Sequence, residues 1–438
     1  MNQPQSAKTA LLSRLREEGR VVVMGMGYVG LPLALHAAEA GMDVVGLDIS
    51  PRTVEGLNKG MSHVEGISSK RLAEALSTGR FRATTERSAL TDSDVVLVAV
   101  PTPLGEGNTP DLGAVEVAAR TIQKWGKANL LVVLESTTYP GTTKEVFLPL
   151  LQGAGLCLEE NLFVAFSPER VDPGNREYDI GNTPKLVGGV NGDSLELAVA
   201  FYERFVDEVV PLSTAEAAEM AKLFENTFRS VNIGLVNEMA QMCEALELDV
   251  WEVLAGAFTK PFGIMPFRPG PGVGGHCIAI DPHYLDWKGK EVGFFSRIIP
   301  VAIASNEEMP AFVVKKVCLI LEQTELKRED ASVLVLGVSY KKDVEDWRES
   351  PILSLLSLLK EEVGQVEYHD PFVPFLAVET EEKQSVPLEE IATYDLVILA
   401  VDHTVFQVPA LVASSRRFLD TRGTTLTWGI TDEKVTTL

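Results

Sequence analysis

The chain has 438 residues, of which 45% are hydrophobic and 23% are charged, and it contains 39 basic and 62 acidic residues. This length and composition are typical of an ordinary soluble globular protein with two or three domains. The formal charge of −23 argues against nucleic acid or an anionic membrane surface as a partner, so we expect neither.

The cysteines and the N-terminal segment indicate the compartment. The four cysteines are widely spaced and form no CxxC pair, so we predict neither a metal site nor a disulfide framework. The N-terminal segment lacks the apolar core of a signal peptide, and no apolar run is long enough to span a bilayer. We therefore expect a cytoplasmic protein without membrane insertion.

The first predicted elements form a dinucleotide-binding unit. An apolar strand ending at Met24 leads into a glycine loop, an apolar helix follows, and a second strand ends at Asp48. In this context the glycines permit a tight turn, close approach of a pyrophosphate, and close packing of helix on strand, whereas a glycine-rich turn without a ligand is the alternative. Asp48 is expected to bind a ribose diol, which favours NAD over NADP, although Arg52 lies nearby. The predicted loop residues are Gly25, Met26, Gly27, Tyr28, Val29 and Gly30.

Two further buried strands of the parallel type are predicted over residues 94–100 and 130–134. Thr102 follows the first of them and Thr137 follows the second. Because ligands of open α/β sheets lie at the carboxyl ends of the strands, both hydroxyls are placed to touch the cofactor. Hydroxyls at strand ends also serve as helix caps, and the sequence leaves these two roles open.

Another strand, over residues 162–166, leads into a loop that carries Glu169. This loop, residues 167–174, is rich in proline and glycine and contains three charges. A catalytic or sugar-binding role for Glu169 is one interpretation, and a solvated loop is the other.

A single long helix is predicted from Ser213 to about Leu246. Ser213 with Glu216 matches a capping box at its start. Lys222 and Asn226 are four residues apart on one face, so that they either reach one ligand or are both simply solvated. Such a length exceeds that of most globular helices, so we expect the helix to join domains or to form a subunit interface.

The segment 267–282 packs four glycines and three prolines around one thiol, Cys277. A cysteine presented in this way is typical of a nucleophile, whereas a tight turn with a buried, inert thiol is the alternative. If residues 277–281 form a helical turn, Cys277 and Asp281 project on one side, with the amides of Gly274 and Gly275 near the thiol. His276 is a candidate base.

The last third of the chain repeats the pattern of the first. Three strands recur in the same order from about residue 325, which predicts a second doubly wound domain. Its first loop carries Lys341, Lys342 and Arg348 where the first domain has glycines, and a later short strand ends at Arg422. The basic cluster suits a diphosphate other than the dinucleotide, or forms a salt-bridged loop.

Together these motifs resemble the UDP-glucose/UDP-N-acetylhexosamine dehydrogenase family, from Gly25 to about Arg422. The matching segments are GMGYVGLPLA, ESTTYPGTT, FSPERVDPGN, KLFENTFRSVN, PGPGVGGHCIAIDP and LGVSYKKDVEDWRESP. The resemblance implies an α/β fold of two doubly wound, Rossmann-like domains joined by a long central helix and a helical middle domain. We predict an NAD-binding domain over residues 1–205, a central helical and dimerisation domain over 206–322, and a UDP-sugar-binding domain over 323–438.

The resemblance also implies the reaction, which is the four-electron oxidation of a sugar C6 alcohol to a carboxylate by two NAD. The cysteine would trap the C6 aldehyde as a thiohemiacetal, and a second oxidation would give a thioester that water hydrolyses. The implied catalytic residues are Cys277 as nucleophile, Lys222 and Asn226 as oxyanion stabilisers, and Asp281, with Glu169 or a water held by Thr137, as proton carriers. The implied NAD contacts are the glycine loop, Asp48, Arg52, Thr102, Thr137 and Arg348. The implied UDP-sugar contacts are Lys341, Arg268, Arg422, Gly274, Glu169, Lys222 and Asn226.

The wording of the Glu169 and Cys277 segments resembles the branch that acts on N-acetylated sugars. Within that branch we favour UDP-N-acetylglucosamine over UDP-N-acetylmannosamine, with UDP-glucose as a further alternative, and a role in supplying surface polysaccharide. A homodimer or a higher homo-oligomer is expected. Two other classes remain open: a two-electron hydroxyacid or sugar-phosphate dehydrogenase, which needs no thiol, and a non-catalytic NAD-sensing protein.

Overall fold

The structure is a computed structural model, and it falls into two compact units. Unit 1 comprises Met1–Glu225 and His283–Val292, and unit 2 comprises Asn226–Pro282 and Gly293–Leu438. No helix in the described part of the chain is both long and apolar enough to cross a membrane. The residues that the structure describes are 7–17, 19–64, 66–158, 160–171, 177–275, 277–378 and 381–438.

Unit 1 is built on one sheet. Its strands in the described residues are β1 (Arg20–Met24), β2 (Asp43–Leu47), β3 (Phe81–Thr84), β4 (Val95–Val98), β5 (Leu130–Leu134), β6 (Leu162–Phe166), β7 (Lys185–Gly189) and β8 (Val209–Leu212). Their order is β3-β2-β1-β4-β5-β6-β7-β8, and neighbours run parallel except for β6 and β7. Every residue of β4 and β5 is buried, as expected for strands that are covered on both faces.

Helices cover both faces of this sheet and bury two apolar clusters against it. They are α1 (Ala7–Glu17), α2 (Gly30–Glu39), α3 (Pro51–Asn58), α4 (Ser69–Ser77), α5 (Gly113–Trp125), α6 (Leu148–Leu151) and α7 (Gly192–Tyr202). Short 3-10 segments lie at Arg87–Asp92 and Glu106–Asn108, and a π-helical turn lies at Thr142–Phe147.

The predicted long helix is present as α8 (Ala215–Ala245), which has 31 residues. The capping-box prediction was wrong by one residue, because the Thr214 hydroxyl, not that of Ser213, accepts from the Ala217 amide, at 3.1 Å. Since the helix begins at Ala215, Thr214 is the residue directly before its first turn, where a cap must lie. The run of α8 through both units agrees with the expectation of a helix that joins domains.

Unit 2 holds the second sheet. Its strands in the described residues are β9 (Ser332–Leu336), β10 (Gln365–His369), β11 (Phe375–Val378), β12 (Glu381–Gln384), β13 (Leu396–Leu399), β14 (Phe418–Asp420) and β15 (Val435–Thr437). Five of them form a parallel sheet in the order β10-β9-β13-β14-β15, and β11 and β12 form a separate antiparallel pair. The remaining helices of the chain are α9 (Val250–Phe258), α10 (Asp281–Glu291), α11 (Ile298–Glu307), α12 (Met309–Glu322), α13 (Pro351–Glu362), α14 (Val408–Ser414) and α15 (Thr424–Thr427).

Both sheets are doubly wound. In each, the second strand pairs on one side of the first strand and the order then reverses to its other side, as β2-β1-β4 and β10-β9-β13. This topology places ligands at the carboxyl ends of the strands beside the first one. The predicted fold class is confirmed, while the boundaries at residues 205 and 322 stay a prediction.

Candidate active site

The glycine loop between β1 and α2 has the geometry of a phosphate-binding turn. Gly25 has φ +91°, and a Cβ atom added to it would overlap the carbonyl oxygen of Ala99. A Cβ at Gly30 would overlap the carbonyl oxygen of Gly25, so both glycines are required by packing. Gly27 differs, because it is exposed and no described atom lies within 4 Å of the place its Cβ would take. That space beside a bare backbone, close to a helix N-terminus, fits the pyrophosphate of a dinucleotide.

The acid at the end of β2 is fixed on this loop. Asp48 Oδ2 accepts from the Met26 amide at 2.8 Å, and its Oδ1 accepts from the Ser50 amide at 2.8 Å. The carboxylate is half-buried, so it keeps lone pairs for a ribose diol. The Met26 side chain is fully buried, which leaves only its backbone to a ligand. Of the other predicted loop contacts, Tyr28 and Arg52 are exposed and Val29 is half-buried.

The loops that follow β4 and β5 lie side by side, because these two strands are adjacent in the sheet and β4 is the neighbour of β1. Ser136 Oγ accepts from the Val100 amide at 2.9 Å and donates to the Val100 carbonyl at 2.7 Å, which ties the two loops together. The carbonyl of Thr102 accepts from the Tyr284 hydroxyl at 2.8 Å. Thr102 and Thr137 are both half-buried. The structure thus brings both predicted threonines to the edge of the sheet that carries the glycine loop.

In unit 2 the thiol loop forms the predicted helical turn. The amides of Ile280 and Asp281 donate to the carbonyl of Cys277, at 3.1 and 2.9 Å. Asp281 is the first residue of α10 and is only 2% exposed. The side-chain amide of Asn226 donates to Asp281 Oδ2 at 2.5 Å, so α8 meets the thiol loop through this pair. His276, the candidate base, lies outside the described residues.

The glycines of the thiol loop pack against Arg422, which is predicted to hold the UDP-sugar, and against the segment after β9. A Cβ at Gly270 would lie 2.5 Å from Nη1 of Arg422, and one at Gly275 would lie 2.7 Å from the Tyr340 ring. A Cβ at Gly274 would lie 2.6 Å from the Glu349 carbonyl oxygen. Larger residues at these positions would push the loop away from Arg422 and from the segment after β9.

The basic segment after β9 is partly salt-bridged. Lys342 Nζ lies 3.5 Å from Asp402, which also lies 3.6 Å from Arg422. Arg348 is exposed and makes a two-point contact with Asp346, at 2.7 and 2.9 Å. Its predicted contact with NAD therefore requires that it leave Asp346 or share it. Lys341 is half-buried, and Arg268 is exposed at the edge of the thiol loop.

The sequence profiles of known families identify this arrangement. Residues 19–206 match the NAD binding domain of the UDP-glucose/GDP-mannose dehydrogenase family, residues 216–308 its central domain, and residues 334–426 its UDP binding domain. The chain belongs to this family. As a UDP-glucose/GDP-mannose dehydrogenase it is an NAD-dependent oxidoreductase that contains a UDP-binding domain.

Relatives of this dehydrogenase cover nearly its whole length. It is 36% identical to the UDP-N-acetyl-D-mannosamine dehydrogenase of Pyrococcus horikoshii, over 89% of this chain and 90% of the relative. It is 34% identical to the UDP-N-acetyl-D-glucosamine 6-dehydrogenase of Pseudomonas aeruginosa, over 89% and 91%. A solved structure of the UDP-D-ManNAc dehydrogenase of Pyrococcus horikoshii superposes with a TM-score of 0.84 at 34% identity, over 92% of this chain and 95% of that one.

Glu169 of this dehydrogenase belongs to a buried ionic cluster that the sequence did not indicate. Its Oε1 accepts from the amides of Arg170 and Val171, and its Oε2 faces Lys185 Nζ at 3.9 Å. Lys185 is 5% exposed and donates to Glu135 Oε2 at 2.7 Å. Tyr202 donates to the other oxygen of Glu135, and burial raises the pKa of both of these groups. The solvated-loop interpretation does not describe Glu169, because its carboxylate points inward.

A carboxylate that the sequence did not single out, Glu219, lies three residues before Lys222 on α8. It is fully buried and accepts from the amides of Gly141 and Thr143, at 2.6 and 2.8 Å, and from the Thr143 hydroxyl at 2.6 Å. Burial raises its pKa to about 7, although these hydrogen bonds act in the opposite direction. Glu219 thereby joins the helix that carries Lys222 to the loop that carries Thr137. Lys222 itself is 7% exposed, so it is not a solvated surface lysine.

Proposed function

We propose that this chain oxidises the C6 alcohol of a UDP-N-acetylhexosamine to the carboxylate in two NAD-dependent steps, with Cys277 as the nucleophile. The observation that carries the proposal is the turn in which Cys277 and the buried Asp281 lie together, with Asn226 bonded to Asp281. The same loop packs on Arg422, which supports a nucleotide-sugar site beside the thiol.

The groups that would hold NAD are those at the carboxyl edge of the first sheet. The open space beside Gly27 is proposed to take the pyrophosphate, and Asp48 is proposed to offer its carboxylate to a ribose. NAD, when bound, supplies the hydride acceptor for each of the two oxidations. The further proposed contacts are Gly25, Gly30, Arg52, Thr102, Thr137 and Arg348.

The thiol accounts for a four-electron oxidation in one site. After the first two-electron oxidation, the Cys277 sulfur bonds to the aldehyde carbon, the thiol proton leaves, and the aldehyde oxygen becomes the hydroxyl of a thiohemiacetal. In the second two-electron oxidation the hydroxyl loses its proton and the same carbon gives up a hydride, which leaves a thioester. Water then adds to the thioester carbon, the carbon–sulfur bond breaks, and the carboxylate and the free thiol result. Covalent capture keeps the aldehyde in place between the two oxidations.

Each oxyanion formed in this sequence needs donors, and each proton needs a carrier. Asn226 uses one amide hydrogen on Asp281, and its second hydrogen is proposed to serve the oxyanion together with the Lys222 ammonium. Asp281 is proposed as the proton carrier nearest the thiol, because it lies one helical turn from Cys277. Either Glu169 or a water held by Thr137 is proposed as the second proton carrier.

The wording of the Glu169 and Cys277 segments supports a UDP-N-acetylhexosamine as the substrate, and within this class we propose UDP-N-acetylglucosamine. The relative with 36% identity is named for UDP-N-acetyl-D-mannosamine, so UDP-N-acetylmannosamine is the second candidate. Lys341, Arg268 and Arg422 are proposed to meet the UDP-sugar, and Gly274 to leave room for it.

The chain is also proposed to work as a homodimer or a larger homo-oligomer. On α8, Phe228, Leu235 and Met242 follow one another at intervals of seven residues, and Leu246 lies four residues further, directly after the end of the helix. Each of the four is between 39% and 60% exposed. This spacing forms one apolar stripe, which is typical of a helix that packs on another helix. A second copy of the chain would cover it, and the molar mass in solution measures this directly.

The test of the reaction is the Cys277→Ser variant with Cys157→Ser as its control, because Cys157 is an exposed thiol of unit 1. We expect Cys277→Ser to lose net acid formation by at least about a hundredfold and Cys157→Ser to behave as the parent. Undiminished acid formation by Cys277→Ser would contradict covalent capture.

Counting NADH against sugar consumed separates the reaction classes. Two NADH per sugar supports the proposal, one supports a two-electron dehydrogenase, and NAD binding without turnover supports a sensor. The count is made with UDP-linked N-acetylglucosamine, N-acetylmannosamine, N-acetylgalactosamine and glucose, and the highest kcat/KM among them identifies the sugar.

A further inference from the structure

A buried histidine lies at the carboxyl ends of the strands of the second nucleotide-binding sheet. His403 follows β13, its side chain is fully buried, and it packs against the rings of Phe372 and Phe406, at 5.0 and 5.3 Å between centroids. Its Nε2 lies 3.1 Å from Asp370 Oδ2, and its Nδ1 accepts from the amide of Asp343 at 2.9 Å. The imidazole therefore bridges the acid after β10 and the basic segment after β9.

The hydrogen bonds determine which nitrogen carries the proton. A backbone amide always donates, so the Nδ1 that receives the Asp343 amide must be unprotonated. The proton then lies on Nε2 and is donated to Asp370. Burial alone would raise the pKa of Asp370, but the hydrogen bonds from His403 and the Val338 amide outweigh it and hold the pKa below its usual value. The histidine thus acts as a neutral two-ended bridge.

The end at Nδ1 holds the loop that carries Lys341. Asp343 has φ +61°, a conformation that needs support in a residue other than glycine. Its carboxylate accepts from the amide of Thr404 at 2.7 Å and from the Thr404 hydroxyl. These bonds join the loop after β9 to the loop after β13. Ser339 closes the other end of the segment by donating to the carbonyl of Lys341 at 2.7 Å.

We propose that His403 is a positioning residue of the UDP site, which holds the segment from Ser339 to Asp343 in its binding conformation through Nδ1. The imidazole does not need to touch the ligand to act in this way. It fixes the backbone on which the Lys341 ammonium is presented to the diphosphate. This inference rests on the proposed contact of Lys341 with UDP.

Two isosteric variants separate the two ends of the imidazole. In His403→Asn the side-chain oxygen takes the place of Nδ1 and keeps the bond from Asp343, but the donor to Asp370 is lost. In His403→Gln the side-chain nitrogen takes the place of Nε2 and keeps the bond to Asp370, but the acceptor for Asp343 is lost. If the histidine only satisfies the buried Asp370, the glutamine variant should be the better substitute.

The measurement is calorimetric titration of the full-length variants with UDP, in the absence of turnover. We expect His403→Gln to bind UDP on the order of tenfold more weakly than the parent, and His403→Asn to stay within about threefold. NAD titration of the same samples should be unchanged, because the glycine loop and Asp48 belong to unit 1. Ser385→Ala is the matched control, since the Ser385 hydroxyl bonds the backbone of Asp370 and not its carboxylate, and its removal should leave UDP affinity unchanged.

Equal losses in the two histidine variants, a larger loss in His403→Asn, or parent-like affinity in both would overturn the inference. If neither histidine variant folds, Thr404→Val tests the same link between the two loops, because it removes the exposed hydroxyl that donates to Asp343. About threefold weaker UDP binding would then support the inference, and unchanged binding would overturn it.

Lys341→Met tests the assumption on which the inference rests. If Lys341→Met binds UDP like the parent while His403→Gln is weakened, the role assigned to Lys341 fails and that of His403 stands. If Lys341→Met binds UDP more weakly than the parent, but His403→Gln does not bind it more weakly than His403→Asn, the role assigned to His403 fails and that of Lys341 stands.

Discussion

The two nucleotide-binding sheets of this chain begin with the same backbone turn. In the first, Gly25 has φ +91° and donates to the carbonyl of Leu47 at 2.9 Å. In the second, Gly337 has φ +83° and donates to the carbonyl of His369 at 2.8 Å. The first strand of each sheet thus turns toward its second strand in the same way, although only the first loop carries the full glycine motif.

The acid after the second strand is also held alike in both. Asp48 accepts from the amide of Met26 at 2.8 Å, and Asp370 accepts from the amide of Val338 at 2.7 Å. The two acids differ in solvent exposure. Asp48 is half-buried, whereas Asp370 is 2% exposed and bonded to the buried His403. The two sheets thus share one backbone turn, but in the second sheet a side chain covers the acid and basic residues stand where the first sheet has its open glycine.

The largest expected effect comes from filling the shared turn in one sheet at a time. A Cβ at Gly25 would overlap the Ala99 carbonyl oxygen, and one at Gly337 would lie 2.5 Å from Val401 Cβ. Overpacking together with the positive φ costs on the order of 4 kcal/mol, so each alanine variant should lose about a thousandfold in affinity for its own nucleotide. We expect Gly25→Ala to lose NAD and keep UDP, and Gly337→Ala to show the opposite in calorimetric titrations. Loss of both nucleotides in either variant would refute the independence of the two sheets.

A smaller effect is expected from pH, because buried carboxylates of the two units shift in opposite directions. The pKa of Glu219 is raised to about 7, so its protonated form is stabilised by folding. Its contribution is fully present below its usual pKa of 4.5 and is lost as the pH rises through 7, by roughly 2 kcal/mol between pH 5 and 7. The pKa of Asp370 is lowered, so its contribution is lost only as the pH falls below its usual value of 3.8.

Hydrogen exchange measured by mass spectrometry distinguishes the pH dependence contributed by Glu219 from that contributed by Asp370. From pH 5 to pH 7, after correction for the intrinsic rate, protection should fall in the Gly141–Thr143 segment and stay constant in the Ser339–Asp343 segment. Glu219→Gln, which cannot ionise, should remove the pH dependence of the first segment. A pH dependence that persists in this variant would show that another group is responsible.

The smallest expected effect comes from replacing Asp48, the half-buried acid after β2. Asp48→Asn keeps the side-chain oxygen but loses the charge that receives the ribose hydroxyls, so NAD affinity should fall roughly tenfold. The preference for NAD over NADP should fall as well, because the carboxylate no longer repels a 2′-phosphate. Asp43→Asn is the control at the other end of β2, where Asp43 pairs with Arg20 at 2.8 Å. Unchanged NAD affinity in Asp48→Asn would remove Asp48 from the site.

Features carried by local sequence could be predicted. The glycine loop, the acid after the second strand and the turn from Cys277 to Asp281 each occupy a few consecutive residues with a strong conformational preference. The position of the cap on α8 failed by one residue because Ser213 and Thr214 offer the same hydroxyl chemistry. Only the first hydrogen-bonded turn of the helix decides between them.

Features that join distant segments could not be predicted. Glu219 meets Gly141 across 78 residues, and His403 meets Asp370 across 33. Neither pair leaves a periodic pattern, since the contact depends on how helices and strands pack and not on their own residue preferences. From the sequence, Lys185 is an ordinary strand residue, because its contacts also come from segments that are distant in the chain. The structure places it between two carboxylates.

The bonds made by Glu219 fix the rotation of α8 about its own axis. Glu219, Lys222 and Asn226 occur at intervals of three and four residues, so they recur on one side of the helix. Each added residue turns an α-helix by about 100° and lengthens it by about 1.5 Å. A single insertion between Glu219 and Lys222 would therefore swing Lys222 off the face that Glu219 anchors. Chain length in this segment is thus as strictly constrained as side-chain identity.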